Sequence, residues 1–122
     1  MSKKVLVVDD EPDILKVVIF RLKKEGYDVK TAINGEMALE MLAQDRPDIV
    51  LLDITLPLLN GYEVCKRIKA DENLKDIPVM FLTASTASEG FKERAMGVGA
   101  QDYMFKPFDY ELLLEKIKKL IN

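Results

Sequence analysis

Short apolar runs alternate with helically spaced segments along the chain. Val5-Leu6-Val7-Val8, Ile49-Val50-Leu51-Leu52 and Val79-Met80-Phe81-Leu82 are continuous apolar runs. Asp28 to Ala32 alternates more weakly, and Tyr103-Met104-Phe105 forms the centre of a fifth run. Continuous runs of this length suit strands buried on both faces, as in a parallel sheet. Between them lie helical spacings. Ile14, Val18 and Leu22 recur at four-residue steps and Gly26 follows as a helix end. Met37, Leu39 and Leu42 mark a second helix, begun through Asn34-Gly35. Tyr62 to Ala70 predicts a third and roughly Ser88 to Met96 a fourth, stopped by Gly97. Leu113, Ile117 and Leu120 give the last, with Lys116, Lys118 and Lys119 favourably near its negative end. This β-α order, repeated five times, predicts a doubly wound α/β fold. It has a five-stranded parallel sheet, right-handed crossovers and helices on both faces.

What ends each run carries the chemistry. Strand one ends in Asp9-Asp10, strand three in Asp53, strand four in Thr83, and strand five runs into Lys106. In an open parallel sheet these carboxyl ends share one edge, and ligands bind where the strand order reverses. Three carboxylates, a hydroxyl and an ammonium are thus expected in one shallow cleft. Carboxylates this close repel unless a cation joins them. A hard, oxygen-only site with few protein ligands suits Mg²⁺, which keeps waters and bridges to phosphate. One carboxylate then acts as a nucleophile on phosphorus, while Lys106 and Thr83 neutralise and hydrogen-bond the phosphoryl oxygens. Ala84 leaves room for that group. Taken singly, each strand-end residue also has an ordinary structural reading. Asp10-Glu11-Pro12 looks like a helix start with Pro in the first turn. Cys65 reads as a small core or boundary residue.

Composition narrows the classes. The 122 residues predict one domain, residues 1–122, with no second domain attached. The net charge of −3, from 18 basic and 21 acidic residues, argues against a dedicated nucleic-acid binder. No run approaches the ~18 apolar residues of a membrane span. The apolar start is too short for a signal peptide, so a cytoplasmic protein is expected. One cysteine excludes an internal disulfide, and the lack of histidine excludes imidazole catalysis.

Several motifs occur together in a fixed order: Val5-Leu6-Val7-Val8-Asp9-Asp10-Glu11, Asp48-Ile49-Val50-Leu51-Leu52-Asp53 with Pro57 and Gly61, Pro78-Val79-Met80-Phe81-Leu82-Thr83-Ala84, and Gly99-Ala100-Gln101-Asp102-Tyr103 with Lys106-Pro107-Phe108. In these the chain resembles the receiver domain of two-component response regulators, in its single-domain form, as in chemotaxis or sporulation regulators. The resemblance implies a flavodoxin-like fold with strand order 2-1-3-4-5. It implies that Asp53 is the phospho-acceptor in a Mg²⁺- or Mn²⁺-dependent phosphorelay. Asp10 then binds the metal directly, Asp9 mainly through water, and Thr55 through its backbone carbonyl. Thr83 and Lys106 contact the phosphoryl group, and Lys106 pairs with Asp53 beforehand. Thr83 and Tyr103 form the switch, and Tyr103 is expected as the nearest large side chain of strand five. Thr55 and Ser85 flank the site where phosphoryl lifetime is tuned. Leu56 replaces the more usual methionine, a volume-conserving change.

The resemblance also implies partners: a histidine kinase or histidine phosphotransfer protein as donor and a downstream protein as target. Ile14, Val17, Pro107 and Phe108 are the expected docking residues, and a monomer is expected. The resemblance further implies a protein that is not an enzyme in the usual sense, but that catalyses its own phosphorylation and slow dephosphorylation. An X–Pro bond allows a cis peptide at 106–107. A haloacid-dehalogenase-type phosphatase is the enzymatic rival. It needs an Asp where Thr55 stands, and its acidic pair comes late in the chain. A dinucleotide enzyme lacks its glycine-rich turn here. A phosphorylation-independent interaction module would usually lack part of the cluster.

Overall fold

The computed structural model describes residues 2–84 and 90–121. In chain order the elements are β1 (Lys4–Val8), α1 (Pro12–Lys24), β2 (Asp28–Ala32), α2 (Gly35–Gln44), β3 (Ile49–Leu52), α3 (Gly61–Ala70), β4 (Val79–Ala84), α4 (Phe91–Gly97), β5 (Asp102–Lys106) and α5 (Tyr110–Ile121). The sheet order is β2-β1-β3-β4-β5, and every pairing is parallel. This is the doubly wound, flavodoxin-like arrangement that the sequence predicts. Among the described residues no helix is long and apolar enough to cross a membrane.

The side-chain alternation of the strands divides the core in two. Val5, Val7, Ile49, Leu51, Met80, Leu82 and Met104 face α1 and α5, packing on Val18, Leu22, Leu113 and Ile117. Leu6, Val8, Val50, Leu52, Val79 and Phe81 face α2, α3 and α4, packing on Leu42, Val64, Ile68 and Ala95. Both faces of β1, β3 and β4 are covered, so their sequences read as unbroken apolar runs. The β2 edge strand carries only a partial pattern, because every second side chain meets water. Each fully buried large side chain contributes about 1.5–3 kcal/mol to this core.

The helix ends follow the expected capping residues at α1 and depart from them at α4. Gly26 has φ +92°, and Tyr27 N–H donates to the Leu22 carbonyl at 3.1 Å, closing α1 with a left-handed glycine as expected. Asn34 and Asn60 accept from the Met37 and Glu63 amides at 2.8 and 3.0 Å and so start α2 and α3. Gly97, expected to stop α4, is its last helical residue. The stop is Gly99, at φ +93°, with Ala100 N–H donating to the Ala95 carbonyl at 3.0 Å. The expected start of this helix at Ser88 lies outside the described residues, as does Ser85. Met37 is exposed, and Ala38 and Leu42 hold α2 to the core instead.

Candidate functional site

Strand-end geometry assembles the site. The sheet ladder continues past β1 and β3, with Asp9 N–H donating to the Ala32 carbonyl at 3.1 Å and Asp53 N–H to the Val8 carbonyl at 3.0 Å. Asp9, Asp53 and Lys106 therefore keep the alternation of Val7, Leu51 and Met104. Three residues far apart in sequence converge at one edge. Asp9, Asp10 and Asp53 each offer a carboxylate oxygen, all within 4.8 Å of one another. Asp9 and Asp53 are buried, whereas Asp10 is exposed. Asp10, Glu11, Asp53, Thr55, Ala84 and Lys106 line a cleft of about 230 Å³.

The ammonium of Lys106 sits among the carboxylates. It donates to Asp9 Oδ2 at 2.7 Å, Glu11 Oε1 at 3.0 Å and Asp53 Oδ2 at 3.4 Å. Pairing with Asp53, expected from the sequence, is thus the longest of the three contacts. Burial alone would lower the Lys106 ammonium, but its hydrogen bonds to Asp9 and Glu11 and the charges of Asp53 and Asp9 outweigh it and raise the pKa. Burial raises the Asp53 carboxyl. Lys106 opposes that rise, Asp9 adds to it, and the Thr55 amide helps the charged form weakly at 3.4 Å. The Lys106–Pro107 peptide is cis. The Cys65 thiol is pushed up to about 11 by burial, against the nearby Lys69 charge. It is a packed core group, as its sequence context suggested.

The raised Asp53 carboxyl has a stability consequence. The unfolded chain ionises near the ordinary 3.8, so near neutral pH the folded state holds Asp53 charged at a cost. Stability on this account is greatest below 3.8 and is lost as pH rises through the raised folded value. Asp53→Asn is expected to raise the melting temperature at neutral pH in EDTA, with the gap closing in acid. Equal melting temperatures at neutral pH would contradict this balance of forces.

The other expected site residues fall in distinct places. Thr83 is buried on β4, and its alternation matches Phe81, so it faces α4 rather than the Lys106 side. Its register partner is Phe105; Tyr103 pairs with Phe81, one pleat further back. Phe105, half-exposed, was absent from the sequence reading of the switch. Tyr103, Phe105 and Phe91 form one aromatic group, with ring centroids 5.2–5.4 Å apart. Arg94 on the same helix stacks 4.0 Å over the Tyr62 ring and ties α4 to α3. Val17 and Pro107 are exposed, while Ile14 and Phe108 are partly taken up by the α1/α5 core. Phe20, 66% exposed one turn beyond Val17, extends that apolar strip. Glu11 carries no site signal in the sequence, because its place before Pro12 reads as a helix start; only the fold reveals its contact with Lys106.

Fold and site together define a flavodoxin-like α/β domain with an acidic, lysine-bearing cleft at its topological switch point. The sequence profile described as response regulator receiver domain matches residues 5–118, and the chain belongs to this family. It is 38% identical over 119 residues to a DNA-binding dual master transcriptional regulator, RpaA, of Synechocystis. That match covers 98% of this chain and 49% of the relative, so the chain spans about half the length of the curated relative. Chemotaxis protein CheY4 of Vibrio cholerae superposes with a TM-score of 0.91 at 33% identity, over 98% of this chain and 99% of that one. The receiver domain of sensor histidine kinase PA1611 from Pseudomonas aeruginosa, solved with magnesium coordinated in its active-site cleft, gives 0.90 at 30% identity over 99% and 98%. Family membership places this chain among the receiver domains of two-component signalling, a family of signalling phospho-acceptors rather than classical enzymes. It sets aside the phosphatase and dinucleotide-enzyme readings.

Proposed function

We propose that Asp53 accepts a phosphoryl group from a phosphohistidine on a histidine kinase or histidine phosphotransfer protein, in a Mg²⁺-dependent reaction. The modified chain then offers a changed surface to a downstream protein. The observation that carries this reading is the buried Asp53 carboxylate beside Lys106, opening into a cleft shared with Asp9 and Asp10. In the transfer, an Asp53 oxygen attacks phosphorus, the bond from phosphorus to the donor nitrogen breaks, and the imidazole leaves with that electron pair. Lys106 and the Thr83 hydroxyl donate to the phosphoryl oxygens as charge builds there. Asp10, Asp53 and the Thr55 carbonyl would hold the metal directly, and Asp9 through water. Bound Mg²⁺, or Mn²⁺, supplies positive charge that offsets repulsion between these carboxylates and the incoming phosphoryl group. The domain thus catalyses its own modification and, more slowly, its reversal by water. The exposed Val17 and Pro107, backed by Ile14 and Phe108, form the donor's docking rim.

The two members of the acidic pair divide their work. Both oxygens of Asp9 are already engaged, by the Glu11 amide at 2.9 Å and by Lys106 at 2.7 Å. Asp10 is exposed at the cleft wall. This supports Asp10 as the direct ligand and Asp9 as one acting through water.

Mass spectrometry after incubation with acetyl phosphate tests the proposal. One phosphoryl group is expected with Mg²⁺ and none in EDTA. In Mg²⁺ titrations, Asp10→Asn should lose more affinity than Asp9→Asn. Equal labelling in EDTA removes the metal from the reaction, and no labelling at all leaves a phosphorylation-independent interaction module.

Output runs through Thr83. Its hydroxyl, drawn to the new acceptor oxygens, leaves space on the α4 side of the sheet. Tyr103, beside Phe91 and Phe105, then turns into the vacated volume and gives α4 a second packing. Crystal structures with and without beryllofluoride, a phosphoryl mimic, are expected to differ at Thr83 and Tyr103. Identical positions in both would mean that the signal takes another route.

A further inference from the structure

Glu11 stands where α1 begins, yet it does not cap that helix. It is the N-cap residue and makes no side-chain hydrogen bond to the first turn. Its carboxylate instead accepts from Lys106 at 3.0 Å, across 95 positions of chain, at the end of β5. Its amide donates to Asp9 Oδ1 at 2.9 Å, and Asp9 Oδ2 accepts from the same ammonium at 2.7 Å. Glu11, Asp9 and Lys106 thus close a small ring of charge-assisted hydrogen bonds. An ammonium has three donors. Here they point at Asp9, Glu11 and Asp53, with Asp53 the most distant.

We propose that Glu11 is a positioning residue that tethers Lys106 at the mouth of the cleft until a phosphoryl group displaces it. This rests on Asp53 being the acceptor, and it deepens that reading. A phosphoryl group on Asp53 brings several acceptor oxygens toward Lys106. The donor aimed at Asp53 can pass to one of these oxygens, but a second contact with the phosphoryl group requires the ammonium to release Asp9 or Glu11. Asp9 is the wrong one to release, because its side chain is 3% exposed and an unpaired buried carboxylate is costly. The Glu11 side chain is 57% exposed, and water replaces its lost partner readily. Glu11 is therefore the partner that gives way. Full engagement of the phosphoryl group by Lys106 therefore breaks this contact, and Glu11 sets how readily the ammonium becomes available to the reacting group.

Glu11→Gln keeps the size and removes the charge. In the unphosphorylated protein, the proton–nitrogen NMR signal of the Lys106 ammonium is expected to shift. Labelling by acetyl phosphate should speed up by about two- to fivefold, the range of a half-exposed ion pair. The gain should shrink at high salt, which screens such a pair. A faster rate with an unmoved ammonium signal would reduce Glu11 to simple charge repulsion at the cleft mouth and overturn the tether. An unchanged rate in proteins that both label on Asp53 would overturn it too. If neither protein labels, the phospho-acceptor reading fails, and the ammonium signal then decides the tether by itself.

Discussion

Asp53→Ala is expected to take up no phosphoryl group from acetyl phosphate, under conditions that label the parent protein, while keeping its fold. Among the described residues, the neighbouring carboxylates Asp9 and Asp10 are less well placed to replace it. Both oxygens of Asp9 are held, by Lys106 and by the Glu11 amide. Asp10 lies on the exposed wall of the cleft, where its carboxylate is open to water. The fold survives because the lost group is a buried carboxylate whose charged form burial and Asp9 disfavour. Removing a charge of that kind is far less harmful than stranding its partner, and Lys106 retains Asp9 and Glu11. Intact-mass analysis beside circular dichroism measures both halves of this expectation. Persistent labelling in a folded Asp53→Ala protein would move the acceptor elsewhere.

The second large effect is expected at Gly61, where α3 begins. A Cβ there would lie 2.2 Å from the Asp53 carbonyl oxygen, 2.8 Å from Ile54 Cα and 3.0 Å from the Asp53 carbonyl carbon. These are backbone atoms at the end of β3 and cannot rotate aside. The Gly61 amide also donates to the Ile54 carbonyl at 2.9 Å, so the helix start is pinned where the clash falls. Gly61→Ala must push α3 outward or drag the Asp53 peptide from its place in the cleft. We expect a loss of about 1–3 kcal/mol or somewhat more in unfolding free energy, as in overpacked sites, together with slower labelling of Asp53. Gly97→Ala is the matched control. Its Cβ would meet nothing within 4 Å, and Gly97 ends the helical run of α4. There alanine should be neutral or stabilising by up to about 1 kcal/mol, through its better helix propensity. Denaturant melts of both variants measure the contrast. Equal, small effects would mean that α3 is free to move and that Gly61 does not position Asp53.

These two sites also mark how much of the molecule was legible beforehand. The unbroken run Ile49-Val50-Leu51-Leu52 announced a strand covered on both faces, and Asp53 directly after it announced a polar group at the ligand-binding edge. Local rules of this kind need no tertiary information. A parallel sheet forces central strands to be apolar throughout and puts their carboxyl ends on one side. The motifs then gave the family, and with it the order of the strands. Where the local signal was degenerate, the reading slipped. Gly97 and Gly99 are both plausible helix stops in a string, and only the positive φ of Gly99 separates them. Met37 and Ala38 are adjacent apolar residues at the start of one helix; both mark the helix, and the fold buries only the smaller.

The sequence by itself determined the elements, the layer architecture and the membership of the acidic cluster, because each follows from periodicity or from position at a strand end. Only the tertiary structure decided how those groups pair. The ammonium of Lys106 reaches Asp9 and Glu11 more closely than Asp53, and Thr83 meets Phe105 in register before Tyr103. Such choices depend on distances of an ångström between side chains carried by different strands. No local pattern encodes these distances, since they are set by the twist and register of the whole sheet.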